Sequence, residues 1–218
     1  MKKQFGVIGL GKFGAAVATH LEELGCTVIA LDKDPDLVDD IKDKVSFAEV
    51  VEAADPEALA ATGIKNCDAV VVAIGEVQSN ILVSLVLGEL GITNIIAKAS
   101  SEVHGRVLKK IGVKEVVFPE KDMGTRIANK ITSSNILDYI SIAKEFDIIE
   151  FEASKKLSKK SLKELSLRNR FGITVIAIKK GSEVIVSPNA EEEILEGDSL
   201  FLVGKTSDIG KFEREFSK

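Results

Sequence analysis

The chain has 218 residues and a formal net charge of −5, from 29 basic against 34 acidic residues. A hydrophobic share of 45% is enough to bury the core of one large domain or two small ones. One Tyr, no Trp and no basic run argue against a nucleic-acid-binding surface. The two cysteines, Cys26 and Cys67, form no CxxC or Cys/His cluster, which argues against thiolate metal sites and disulfide frameworks.

Lys2-Lys3 followed by the apolar stretch Phe5 to Leu10 imitates the start of a secretory signal, but Lys12 and the glycines around it break the pattern. Phe5-Gly6-Val7-Ile8 reads instead as a strand that runs into Gly9-Leu10-Gly11-Lys12-Phe13-Gly14. An amphipathic stretch, Ala15 to Leu24, follows, and then a second apolar strand, Thr27 to Leu31, ending at Asp32. This is the strand–turn–helix–strand–acid unit of a nucleotide-binding Rossmann half. Gly9 permits the tight turn, Gly11 lets backbone approach a pyrophosphate, and Gly14 lets the helix pack on the strand. The helix N-terminus then offers free N–H groups to phosphate, and Asp32 accepts from ribose hydroxyls.

Further on, Lys33-Asp34-Pro35 starts a short helix over Leu37 to Lys42, and Val45 to Val51 reads as a third strand. Glu52 to Pro56 is a loop leading into a helix over Glu57 to Thr62. Ala69 to Ile74, continuously apolar, fits a strand buried on both faces of a parallel sheet, closed by Gly75. Ser79 to Leu90 is an apolar helix and Asn94 to Ala99 a fifth strand. Val103 to Ile111 is a helix expected to bury Val103, Val107, Leu108 and Ile111, and Lys114 to Phe118 is a sixth strand. The alternation predicts an α/β fold, a doubly wound parallel Rossmann sheet in the order 3-2-1-4-5-6, with ligand at the switch point between strands one and four.

A helix over Asp122 to Ile131, a polar break at Thr132-Ser133-Ser134-Asn135 and a second helical piece over Ile136 to Ala143 form the linker. The expected boundary divides residues 1–133, a nucleotide-binding domain with its linker helix, from residues 134–218, a small α+β module. That module reads as a strand over Phe146 to Ala153, a helix within Leu157 to Arg168, a hairpin from Thr174 to Ser187, a strand over Ser199 to Val203 and a closing helix over Thr206 to Phe216.

Hydride-transfer chemistry needs an acid or base beside the nicotinamide. The only histidines, His20 and His104, sit on helices and read as surface or interface residues, and Tyr139 has no lysine placed as its partner. No nucleophile elbow or Walker lysine occurs. The chain is expected to bind a nucleotide without transforming it, which points to sensing.

Taken together, GLGKFG, ALDKD, VVVAIG, NIIAKA and VFPEKDMG resemble the N-terminal half of the regulator-of-potassium-conductance (RCK) domain. The segments EFDIIEF, SLRNRFGITVIAIKKG and VSPNAEEEILEGDSLFLVG resemble its C-terminal half. The resemblance spans nearly the whole chain and is nearest to the regulatory subunits of Ktr/Trk potassium uptake systems, of the KtrA branch. It implies an octameric ring of dimers on the cytoplasmic face of the membrane, beneath a potassium-translocating subunit of the KtrB/TrkH kind, with ATP and ADP favouring different ring shapes. It implies a nucleotide site from Gly9, Gly11, Lys12, Phe13, Gly14, Asp32, Lys33, Ala54, Asp55, Ala73, Ile74, Gly75, Lys98 and Glu120. Lys12 would reach phosphate, of an adjacent subunit's nucleotide. Glu120 would lie near the γ-phosphate with Mg²⁺ or another divalent cation bridging the two negative groups. In the C-terminal half, Arg168, Ile173, Thr174 and Pro188 match positions that meet cyclic di-AMP in relatives from Gram-positive bacteria. Two other readings stay open: a Trk-type regulator that senses NAD⁺ and NADH, and a small nicotinamide-dependent reductase.

Overall fold

The computed structural model describes residues 2–217. Six strands, β1 (Gln4–Ile8), β2 (Thr27–Asp32), β3 (Phe47–Val50), β4 (Ala69–Val72), β5 (Ile95–Lys98) and β6 (Glu115–Val117), alternate with helices α1 (Lys12–Glu23), α2 (Pro35–Ile41), α3 (Pro56–Ala61), α4 (Val77–Glu89) and α5 (Glu102–Lys110). All pair in parallel in the order β3-β2-β1-β4-β5-β6, the doubly wound order anticipated from the alternation.

The central strands explain why. Every residue of β4 is buried, and Val70 and Val72 have no exposed surface. Burying one such side chain is worth about 1.5–3 kcal/mol, which a strand covered by helices on both faces collects at every position. Leu59, Ile64 and Leu87 fill the layer on one side, while Val7, Val28 and Ala30 meet Leu10 and Ala18 on the other.

The helix starts are specified locally. Asp34, Asp55, Glu76 and Ser101 cap α2, α3, α4 and α5 by accepting backbone N–H groups of the first turn. On α5 the buried positions are His104, Gly105 and Leu108, whereas Val103 and Val107 are exposed. The face expected from the apolar spacing is therefore rotated. Gly105 sets the rotation, because a Cβ there would come within 2.6 Å of the Phe118 ring, so this side of the helix packs closest. His104, read as a surface or interface residue, is only 3% exposed.

The chain divides into two units, one ending at Lys121 and the next beginning at Asp122. The division falls inside helix α6 (Pro119–Thr132), ahead of the polar break where the sequence suggested it.

The second unit is a five-stranded sheet in the order β11-β10-β13-β8-β7, antiparallel throughout. Its strands are β7 (Ile136–Ala143), β8 (Phe146–Glu152), β10 (Thr174–Lys180), β11 (Glu183–Val186) and β13 (Ser199–Lys205). A two-stranded piece pairs β9 (Lys160–Ser161) with β12 (Glu193–Ile194). Short helices α7 (Leu162–Leu165) and α8 (Leu167–Phe171) precede β10, and α9 (Thr206–Phe216) closes the unit. Phe151, Phe212 and Phe216 stack edge-on or tilted in its core beside Phe171.

Residues Ile136 to Ala143, expected as helix, are strand β7. They pair with β8 from Ile136 opposite Phe151 to Ala143 opposite Phe146. Three isoleucines in eight residues favour the pleated state, and the neighbouring strand supplies the hydrogen bonds that a lone helix would have had to make itself.

Candidate functional site

At the carboxyl ends of β1, β2 and β4 lies a cleft of about 300 Å³, lined by Gly9, Gly11, Asp32, Lys33, Glu52, Ala53, Ala73, Ile74, Gly75, Glu76 and Ser79, with Ile8, Leu37, Val51 and Val83 as its apolar lining. This is the topological switch point, where neighbouring connections leave the sheet in opposite directions.

The glycine turn is built for close approach. Gly9 has φ +93°, and a Cβ there would meet the backbone of Ala73 and Ile74 at 2.8–2.9 Å. At Gly14 a Cβ would fall 1.8 Å from the Gly9 carbonyl oxygen, so helix and strand tolerate only glycine. Gly11 differs, because a Cβ there would enter open space. The space beside it is the cleft itself. Gly11 is also the N-cap of α1 and provides no side-chain cap, and no acidic residue stands in the first turn. The N–H groups and positive dipole end of α1 therefore face the cleft unneutralised, the arrangement that receives phosphate.

Asp32 anchors the opposite wall. Its Oδ2 accepts the Leu10 N–H at 2.6 Å and its Oδ1 accepts the Asp34 N–H at 3.0 Å. These bonds fix the carboxylate against the glycine turn and leave lone pairs for hydroxyl donors.

Ile74 and Gly75 also line a second cleft of about 290 Å³, shared with Lys98, Ser100 and Glu120. Lys98 Nζ lies 2.5 Å from Glu120 Oε1 and 5.9 Å from the centre of the Phe13 ring. The Lys98 side chain is 17% exposed and that of Glu120 is 68% exposed. The hydrogen bond from Lys98 holds the Glu120 carboxyl below the usual carboxylate range. Behind this cleft, buried Asn80 donates to the carbonyls of Ile74 at 2.8 Å and Lys98 at 3.1 Å, tying the ends of β4 and β5 together. His104 Nδ1 accepts the Ser100 N–H at 3.3 Å, and burial pushes the imidazole pKa down.

Most of the anticipated nucleotide residues thus converge on one of the two connected clefts. Lys12 is exposed and lines a separate groove of about 620 Å³ between α1 and α2, beside Thr19, His20, Asp40 and Lys44. Ala54 and Asp55 do not line the cleft. The chain turns at Glu52 (the Asp55 N–H donates to its carbonyl at 3.0 Å), and the Asp55 carboxylate is engaged in capping α3. Glu52 and Ala53 take their places. Sequence reasoning also passed over Glu76, Ser79 and Ser100. The signal for Glu76 was its position just after Gly75 and just before a helix. In the second unit Arg168 and Thr174 are exposed and Pro188 is half-buried, whereas Ile173 is sealed in the core and offers no surface.

A divalent cation has little to hold it in this chain alone. Among the described residues no three His, Cys, Asp or Glu side chains converge, and Glu120 gives one carboxylate already faced by an ammonium. Its remaining ligands would have to be phosphate oxygens, which is the ordinary way Mg²⁺ is held beside nucleotides.

A parallel Rossmann sheet with an open glycine turn, joined to a small antiparallel domain, is the architecture of the RCK class. The TrkA-N domain model matches residues 5–119 and the TrkA-C domain model residues 148–217. The chain is 43% identical over 215 residues to Ktr system potassium uptake protein C of Bacillus subtilis, covering 98% of this chain and 97% of that one. It is 35% identical over 203 residues to Ktr system potassium uptake protein A of Vibrio alginolyticus, covering 93% and 92%. The chain belongs to the TrkA-type, Ktr-like family of potassium uptake proteins, a family of transport regulators and not of enzymes. The crystal structure of the GsuK RCK domain aligns with a TM-score of 0.70 at 19% identity over 100% of this chain, and a GsuK channel bound to NAD with 0.64 at 20% over 95%. The chain spans 48% and 38% of those two solved chains, and the likeness shows the shared fold.

Proposed function

We propose that this protein is the nucleotide-sensing gating subunit of a potassium uptake system, reading ATP against ADP at the cytoplasmic face of the membrane and passing the result to a membrane potassium-translocating subunit. One observation carries the reading: the uncapped N-terminus of α1 faces Asp32 across a cleft that continues past Gly75 to the Lys98–Glu120 pair. The first part suits a ribose and its proximal phosphates. The second part presents a cation and an anion together, which suits a group whose charge depends on whether a terminal phosphate is present. A divalent cation bound to the phosphates would take Glu120 as its protein ligand. Lys12, which lines a separate groove, would serve a nucleotide held by a neighbouring copy in a ring of dimers.

The sensing step needs no bond to be made or broken. ATP adds one phosphate and about one negative charge to ADP, and Lys98 and Glu120 respond to that charge with opposite sign. Because Glu120 lies in the first turn of α6, the response begins on the helix that leads out of the sheet domain.

A second reading, NAD⁺/NADH sensing, is favoured by the NAD-bound structural neighbour and by Asp32. Titration calorimetry with ATP, ADP, NAD⁺ and NADH, with and without Mg²⁺, separates the two. The expected result is micromolar binding of ATP and ADP with a Mg²⁺-dependent preference for ATP. Tight NAD⁺ or NADH binding with no ATP heat establishes the second reading instead. For the second unit we propose a cyclic di-AMP site using Arg168, Thr174 and Pro188, with the guanidinium meeting phosphate. Heat on adding micromolar cyclic di-AMP to the full chain, abolished by Arg168→Ala, is the expected outcome.

A further inference from the structure

The N-termini of α1 and α4 both open onto the main cleft, and they are not equivalent. That of α1 is uncapped at Gly11, while that of α4 carries Glu76, whose Oε1 accepts the Gln78 N–H at 2.9 Å and whose Oε2 accepts the Ser79 N–H at 2.6 Å. Glu76 follows Gly75, the residue shared by both clefts, and lines the main cleft together with Ser79. We infer that Glu76 is a specificity-determining residue of the nucleotide site, a fixed negative charge that penalises each additional phosphate charge on the ligand and so tempers the affinity for ATP relative to ADP and AMP.

First, both carboxylate oxygens are held by first-turn N–H groups, so the charge is positioned and does not swing freely. The same bonds hold the carboxyl below its usual range. Second, the cap cancels the attraction that the α4 terminus would otherwise offer an anion. Of the two termini, only α1 is left to draw phosphate. Third, among the side chains lining the main cleft, Asp32, Glu52 and Glu76 are acidic and only Lys33 is basic. Lys33 offsets part of the Glu76 charge at a distance. Glu76 is the acid next to the passage toward Lys98 and Glu120, where each further phosphate must lie. Its repulsion therefore opposes the attraction of Lys98, and the balance keeps ADP competitive with ATP, as a sensor of their ratio requires.

This inference rests on the nucleotide-sensing reading, and one set of titrations tests both. Calorimetry is run on the full chain with AMP, ADP and ATP at low salt without divalent cation. Glu76→Ser removes the charge and keeps an N-cap acceptor, and Glu76→Asn does the same should the serine variant fold poorly. Glu76→Asp keeps both charge and cap. The expected result is a graded gain in the uncharged variants, about threefold larger for ATP than for ADP and again for ADP than for AMP, with Glu76→Asp behaving as wild type. The gain should fade in 1 M salt, where screening acts over about 3 Å. Equal gains for all three nucleotides, or a loss, overturn the inference, because packing or capping alone would act without regard to ligand charge. Absence of any nucleotide binding by the wild-type chain overturns the nucleotide reading itself and the inference with it.

Discussion

Single side chains divide the labour of the site by charge. Asp32 is held by two backbone N–H groups and is expected to take ribose hydroxyls, so Asp32→Ala should weaken every ribonucleotide by about 1–3 kcal/mol, the worth of a hydrogen bond to a charged group. Calorimetry with ADP and with its 2′,3′-dideoxy analogue checks this: the mutant should lose affinity for ADP and show no further loss for the dideoxy compound. A mutant equally sensitive to removal of the hydroxyls would place the ribose elsewhere. At the far end, Lys98 and Glu120 form a pair of which the carboxylate is largely exposed, so its worth to stability is small and its worth to recognition is the interesting quantity. Lys98→Met should leave ADP affinity within about twofold and abolish the preference for ATP, since the proposed place of the terminal phosphate loses the ammonium beside Glu120. Glu120→Gln should remove the Mg²⁺ dependence of that preference. An undiminished ATP:ADP ratio in Lys98→Met would show that the terminal phosphate is read by other groups.

The elements of the sheet domain were largely legible in the sequence because each rests on a local cause. Proline and aspartate start α2 and α3, continuous apolar runs make the buried strands, and glycines allow one particular turn. Two features were not legible. The face of α5 is set by the Phe118 ring, just past the end of β6, packing at Gly105, and β7 is a strand because β8 lies beside it. In the site, Glu52 replaced Asp55 because capping and lining compete for neighbouring carboxylates, and only the path of the chain decides between them. The glycine turn allows a test that separates packing from binding. Gly14→Ala should lower the melting temperature sharply, since its Cβ has nowhere to go. Gly11→Ala should melt like wild type and fail to bind nucleotide, since its Cβ occupies only the cleft. Loss of stability in Gly11→Ala, or retained binding, would remove the phosphate role of the α1 terminus. Helix α5 adds a pH dependence. Burial lowers the pKa of His104 below its ordinary value of 6.5, so the unfolded chain takes up the proton first. Stability contributed by the neutral ring is complete above pH 6.5 and is lost as pH falls from there through the lower folded-state pKa. His104→Asn keeps an acceptor for the Ser100 N–H, and it should flatten the acid limb of a denaturation series run from about one unit above that value to about one and a half below it. An unchanged slope would assign the acid sensitivity to carboxylates.

At the scale of the whole molecule, the proposed function asks how a nucleotide, once bound, would become a signal. Helix α6 is the element to follow, because its first turn holds Glu120 and its later turns belong to the second unit. No residue of α6 is buried, and Met123, Ile127 and Ile131, at 50%, 51% and 77% exposure, lie at intervals of four along it. Residues four apart share a helix face, so the three form one apolar stripe. Burial of such a stripe favours association roughly in proportion to the area covered, whereas exposing it to water has no compensating gain. A second copy of the chain is the economical cover, and it would place the helix that starts at the nucleotide site at a contact between subunits. Changing Ile127 to Glu and Ile131 to Lys should therefore lower the molar mass measured by light scattering, while ADP binding stays within about twofold, because neither residue lines a cleft. If the double variant keeps the wild-type mass, or if the wild type is a monomer at micromolar concentration with and without ATP, α6 is not the coupling surface and the signal must leave the sheet domain by another element.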